Sequence, residues 1–206
     1  MNYRSVVNTV RHFKVNLVIK ILILSDFIIL TSSNLLSPIF AIFIAEQVPG
    51  GDIESAGVAV AIYAVAKAVS EVPVGVFIDK HKGELDDLYV TFIGTIMQGI
   101  VYITFIFISN IWQLFLLQAL LGVASAVAYP GWYAIFTRHV DSNKQGFEWS
   151  LYDVLMGFGY AGAAALSGFI AVRWGFSAIF SVVGIMTICG SSLLVLIRNK
   201  MRLVKP

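Results

Sequence analysis

Apolar runs of about 20 residues recur along the whole chain, each long enough at about 1.5 Å per helical residue to cross a hydrocarbon core about 30 Å thick. In lipid the backbone must satisfy its own polar groups, and runs this long and this evenly apolar do not suit the alternating strands of a barrel. The fold class expected is therefore all-α and polytopic. Charge content agrees: Asp, Glu, Lys and Arg make up 13% of the 206 positions, about half of the roughly 25% usual in a soluble domain.

Six transmembrane helices can be placed, at about 17 to 45, 54 to 78, 88 to 109, 111 to 137, 149 to 172 and 175 to 197. This divides the chain into an N-terminal segment (1–16), a six-helix transmembrane domain (17–197) and a basic tail (198–206). The first apolar segment is far longer than the core of a signal peptide, about 7 to 15 residues, and leads straight into further spans. If the N-terminus is cytoplasmic, Arg4, Arg11, Lys14, Lys80, Lys82, Arg138, Lys144, Arg198, Lys200, Arg202 and Lys205 lie inside, and only Arg173 lies outside. The positive-inside rule then puts both termini in the cytoplasm of a multi-pass protein of the cell membrane, inner or plasma. An initiator-like Met1 and the short basic tail lead us to expect a complete chain.

Several function classes are disfavoured. The basic residues sit at helix ends rather than in one patch, so no nucleic-acid partner is expected. Cys189 is the single cysteine, which precludes an intrachain disulfide and suggests simple packing. His12, His81 and His139 all lie in cytoplasmic segments, so a Ser-His dyad or histidine metal site cannot form at midplane depth. No Gly-rich phosphate loop with its lysine is present. We expect no enzyme, cofactor or metal, with aspartyl chemistry by Asp26 and Asp153 the residual enzymatic alternative.

A charge at the centre of a span costs about 2.5 to 3.5 kcal/mol on insertion scales, so each needs a partner, a cavity or a job. Four stand there: Asp26 in the first span, Lys67 and Glu71 in the second, and Asp153 in the fifth. At about 100° per residue, Asp26, Ser33 and Ser37 share a face with Asn34 one step round, and Tyr63, Lys67, Ser70 and Glu71 share another. The fourth span aligns Gln118, Gly122, Ser125, Tyr129 and Trp132, and the fifth aligns Asp153, Gly157, Tyr160, Ala164 and Ser167. These lines either glue helices together or border a water-filled cavity. Lys67 and Glu71, four apart, either neutralise each other or serve that cavity. Asp26 and Asp153 have no basic neighbour nearby in sequence and are the first and second candidates for proton or cation sites.

Around the turn after the second span, Gly75, Asp79, Lys80 and Gly83 resemble the loop motif of the major facilitator superfamily. Gln118, Gly122 and Pro130 hold the spacing of that family's fourth-helix pattern, with Gln118 where the pattern has arginine. Arg173, Trp174, Gly175, Phe176 and Phe180 look like its turn into the sixth helix. Family members are usually two parallel six-helix halves, and six spans correspond to one half.

The resemblance implies a secondary active transporter of a small molecule or ion. It would work in the lipid bilayer as a homodimer by alternating access, with the first, second, fourth and fifth spans around the cavity and the third and sixth peripheral. It also implies a gating role for Asp79, with Arg138 and Lys80 as candidate partners. The alternative is a non-transporting membrane subunit or one half of a heteromeric carrier.

Overall fold

The computed structural model describes residues 15–80 and 83–201, and every regular element among them is helical. In chain order these are α1 (Leu17–Ser33), α2 (Phe40–Gln47), α3 (Ile53–Lys80), α4 (Glu84–Thr104), α5 (Ile111–His139) and α6 (Gln145–Ser192). 3-10 turns follow α4 and α6, at Phe105–Phe107 and Leu193–Lys200. Four stretches are long and apolar enough to cross a membrane: Ile53–Lys80, Glu84–Phe107, Ile111–His139 and Gln145–Lys200.

The difference from six expected spans has two physical causes. The first apolar run is broken, because Pro38 has no N–H to give the Asn34 carbonyl and its ring would strike that oxygen. The backbone there turns to tighter bonds instead, from Leu35 to Ser32, Leu36 to Ser33, Ser37 to Asn34 and Ile39 to Leu36.

The second cause is the length of α6, which is two limbs joined at Gly175 (φ 76°, ψ 172°). Gly159 packs on Thr31 and Phe27 of α1, while Gly190 packs on Ile29 and the Ser25 carbonyl. A straight helix would hold those two glycines about 46 Å apart, yet they meet neighbouring turns of one helix. The chain therefore folds back at Gly175, in a backbone conformation that a side chain would strain.

Helix α5 lies between α3 and α4, while the α6 hairpin packs on α1 and α4. Small residues permit these approaches: a Cβ on Gly122 would come within 2.5 Å of the Tyr63 carbonyl, and one on Gly94 within 2.5 Å of the Ala128 nitrogen. The interior forms two apolar clusters. At the end where α1 begins, here the proximal end, Ile19, Leu22, Trp132, Ile135, Phe136, Met156 and Ile197 pack together. At the distal end Phe43, Phe105, Leu114, Ile179 and Phe180 do so, with the Phe105 and Phe180 rings stacked 5.1 Å apart.

Much of the remaining surface is apolar. Helix α3 buries only Ala56, Ala59 and Ile78, and Val65, Val69 and Val72 stand in the open. Cys189, expected to be packed, is exposed.

Candidate functional site

Two cavities lie between the apolar clusters. The proximal one, about 220 Å³, is bordered by Asp26 and Ser33 of α1, Tyr63 and Lys67 of α3, and Ser125, Tyr129 and Trp132 of α5. The distal one, about 450 Å³, is bordered by Ser33, Asn34 and Ser37, with Tyr63, Gln118 and the Phe40, Phe105 and Phe180 rings. Ser33, Tyr63 and Tyr102 belong to both walls. The break after α1 is what carries Asn34 and Ser37 to the distal wall.

Helix α4 completes the proximal wall with Thr91, Thr95, Gln98 and Tyr102, although the third span was expected to be peripheral. These positions recur at helical spacing. Their signal was present in the sequence, but uncharged hydroxyl and amide groups stand out less than a charge. Glu71, Asp153 and Tyr160 border neither cavity. Asp153 is exposed, Glu71 is half-buried and Tyr160 packs on the proximal cluster.

The charges that do reach the proximal cavity are not paired with one another. The Tyr152 hydroxyl donates to Asp26 Oδ2 at 2.9 Å, a partner from the first limb of α6 that no sequence spacing indicated. Lys67 Nζ stands 4.8 Å from the centroid of the Tyr129 ring, a cation–π contact. No ion pair among the described residues joins Lys67 to Glu71, so the self-neutralising pair is not formed. Trp132 Nε1 and Thr91 Oγ1, both buried, also lack hydrogen-bond partners among the described residues.

The proximal end is different. Arg138, at the C-terminal end of α5, pairs with Asp87 in the first turn of α4 rather than with Asp79. His139 Nε2 lies 3.9 Å from Glu84, and the Asn16 side chain donates to the His139 carbonyl while accepting from the Ile19 N–H. Fully buried Glu148 accepts from the Asp141 N–H at 3.1 Å, and Lys144 pairs with Asp141 at 2.6 Å. Asp79 and Lys80 end α3 in exposed positions, while Gly75 and Gly83 are half-buried. Residues 81 and 82, including His81 and Lys82 of the expected gating turn, lie outside the described residues, as do 1–14 and 202–206.

The family model described as the Major Facilitator Superfamily matches residues 22–205. The chain belongs to the major facilitator superfamily. It is also similar to a proton-coupled antiporter flippase, LtaA, of Staphylococcus saprophyticus subsp. saprophyticus, being 25% identical over 115 residues, 56% of this chain. The matched stretch spans only 29% of that relative's length. In this member of the major facilitator superfamily, Gln118 is buried in the distal wall.

Proposed function

We propose that the chain is a secondary active transporter of a small solute, working by alternating access as a homodimer of six-helix units. α1 with α2, then α3, α4, α5 and the two limbs of α6 would supply the six spans, with both termini cytoplasmic. The observation that carries this reading is a cavity bordered by Asp26, Lys67 and uncharged polar side chains, in a chain of the major facilitator superfamily. An unpaired charge at that depth is costly, so its retention at a cavity favours a role in binding.

A second copy facing α3 and the first limb of α6 would cover the exposed valines of α3 and the exposed Asp153, which a lone unit presents to lipid. Asp26, held by Tyr152, is the first candidate to take and release a proton, and Asp153 the second. Asp79 would act in the gate with the proximal ion-pair network. Single cysteines on α3 and on residues 145–174, in a Cys189→Ser background, should crosslink into dimers in native membranes. Proteoliposomes containing only this chain should carry solute. Persistent monomer, or flux that needs a different second chain, would replace this reading with half of a heteromeric carrier.

A further inference from the structure

The charge balance of the proximal cavity bears on what fills it. Of Asp26, Glu71 and Asp153, only Asp26 borders the cavity, and Lys67 is the base that borders it. The cavity is therefore balanced rather than acidic. Yet its two charges do not meet: Asp26 is engaged by Tyr152 through one oxygen, and Lys67 by the Tyr129 ring. Charges of opposite sign that border one small cavity without pairing are each short of a counter-charge. A lone anion would satisfy Lys67 and leave Asp26, and a lone cation would do the reverse.

Resting on the transporter reading above, we propose that the substrate is a small zwitterion, its anionic group on Lys67 and its ammonium on Asp26. The anionic group is a carboxylate or a phosphate. At about 30 Å³ for each water-sized group, 220 Å³ holds roughly seven of them, the scale of a short amino acid. A longer substrate would extend past Ser33, Tyr63 and Tyr102 into the distal cavity, whose wall carries no charged side chain. That extension would be uncharged.

The test uses the purified full chain and a ladder of zwitterions with increasing charge separation: glycine, β-alanine, 4-aminobutyrate and 6-aminohexanoate, with phosphoethanolamine as the phosphate arm. Propionate and propylamine are the controls with one charge. Binding to the native state raises the apparent unfolding temperature. At least one zwitterion should raise it while both controls do not, and comparison of phosphoethanolamine with the best amino acid of the ladder should tell phosphate from carboxylate. Asp26→Asn and Lys67→Gln should each weaken the response at least about tenfold, and Lys67→Arg should restore part of what Lys67→Gln loses. The proposal is overturned if propionate or propylamine alone matches the best zwitterion, if no probe raises the temperature, or if both neutral variants respond like wild type. A zwitterion that binds but is not carried in proteoliposomes would refute the transporter reading alone. Carriage of propionate in preference to every zwitterion would refute the substrate class alone.

Discussion

The proximal ion-pair network and the proximal cavity both hold buried charge, and they use it in opposite ways. At the helix ends, Asp87 is answered by Arg138, Asp141 by Lys144, and Glu148 by a backbone N–H. Deeper in, among the described residues, Lys67 meets an aromatic face and Asp26 a neutral hydroxyl. Solvent exposure alone does not separate the groups, since Asp87 and Glu148, at 1% and 0% exposed, have less accessible surface than either cavity charge. What separates them is the partner. The Arg138–Asp87 pair ties α5 to α4, whereas Asp26 and Lys67 border a cavity with no ion pair among the described residues.

The sharpest way to break that contrast is to remove one member from each group. Arg138→Met leaves the Asp87 carboxylate enclosed without its cation, and loss of one partner of a buried pair is strongly destabilising. Because the Arg138 side chain is 40% exposed, water recovers part of the loss, and a decrease of about 2 kcal/mol is expected in unfolding experiments. Lys67→Met should do the reverse. Stability should change by less than about 1 kcal/mol, since the ammonium gives up only a cation–π contact, while transport is lost. If Lys67→Met destabilised the chain as much as Arg138→Met, the lysine would be structural and the contrast would fail.

A finer cut lies between Asp26 and Asp153, the two carboxylates proposed for coupling. Asp26 borders the cavity and accepts from Tyr152, and Tyr129 and Lys67 border the same cavity, whereas Asp153 is exposed on the isolated chain. Once a carried solute is in hand, pH-jump transport should lose its pH dependence in Asp26→Asn and keep most of it in Asp153→Asn. The opposite ranking would place coupling at the surface between copies. Unchanged pH dependence in both would make the carrier a uniporter or couple it elsewhere.

The same contrast marks what was legible in the sequence. Long apolar runs foretold an all-helical chain, and helical spacing grouped Asp26, Ser33, Tyr63, Lys67, Tyr129 and Trp132, which border one cavity, because helical periodicity maps directly onto a face. The α4 contribution was passed over because the third span carries no charge and the family resemblance implied a peripheral place for it. Tyr152 and Asp87 were not foreseen for another reason. Their partners Asp26 and Arg138 come from other helices, and pairing across helices depends on rotation and depth that spacing along one helix does not encode. The break at Pro38 was written in the sequence, with the polar residues 31–34 just before it, but apolar residues on both sides let the stretch be read as one long span.

The smallest expected effect belongs to a charge that is neither enclosed nor facing a cavity. Asp52 opens α3: its Oδ1 accepts from the Ser55 N–H at 2.7 Å, and the Ser55 hydroxyl accepts from the Asp52 N–H at 2.7 Å. This reciprocal arrangement serves N–H groups that the helix cannot satisfy. The Ser55 backbone N–H, followed by its hydroxyl, holds the Asp52 carboxyl below the ordinary carboxylate range. A carboxyl lowered on folding stabilises the native state above its unfolded value and loses that contribution as pH falls through the folded one. Asp52→Asn retains an acceptor oxygen but not the charge, so its stability deficit should shrink on acidification through that window. Asp52→Ala removes the acceptor as well and should keep a residual deficit at acidic pH. Unfolding curves of wild type and Asp52→Asn that stay parallel from neutral to acidic pH would show that the cap works as a hydrogen bond alone.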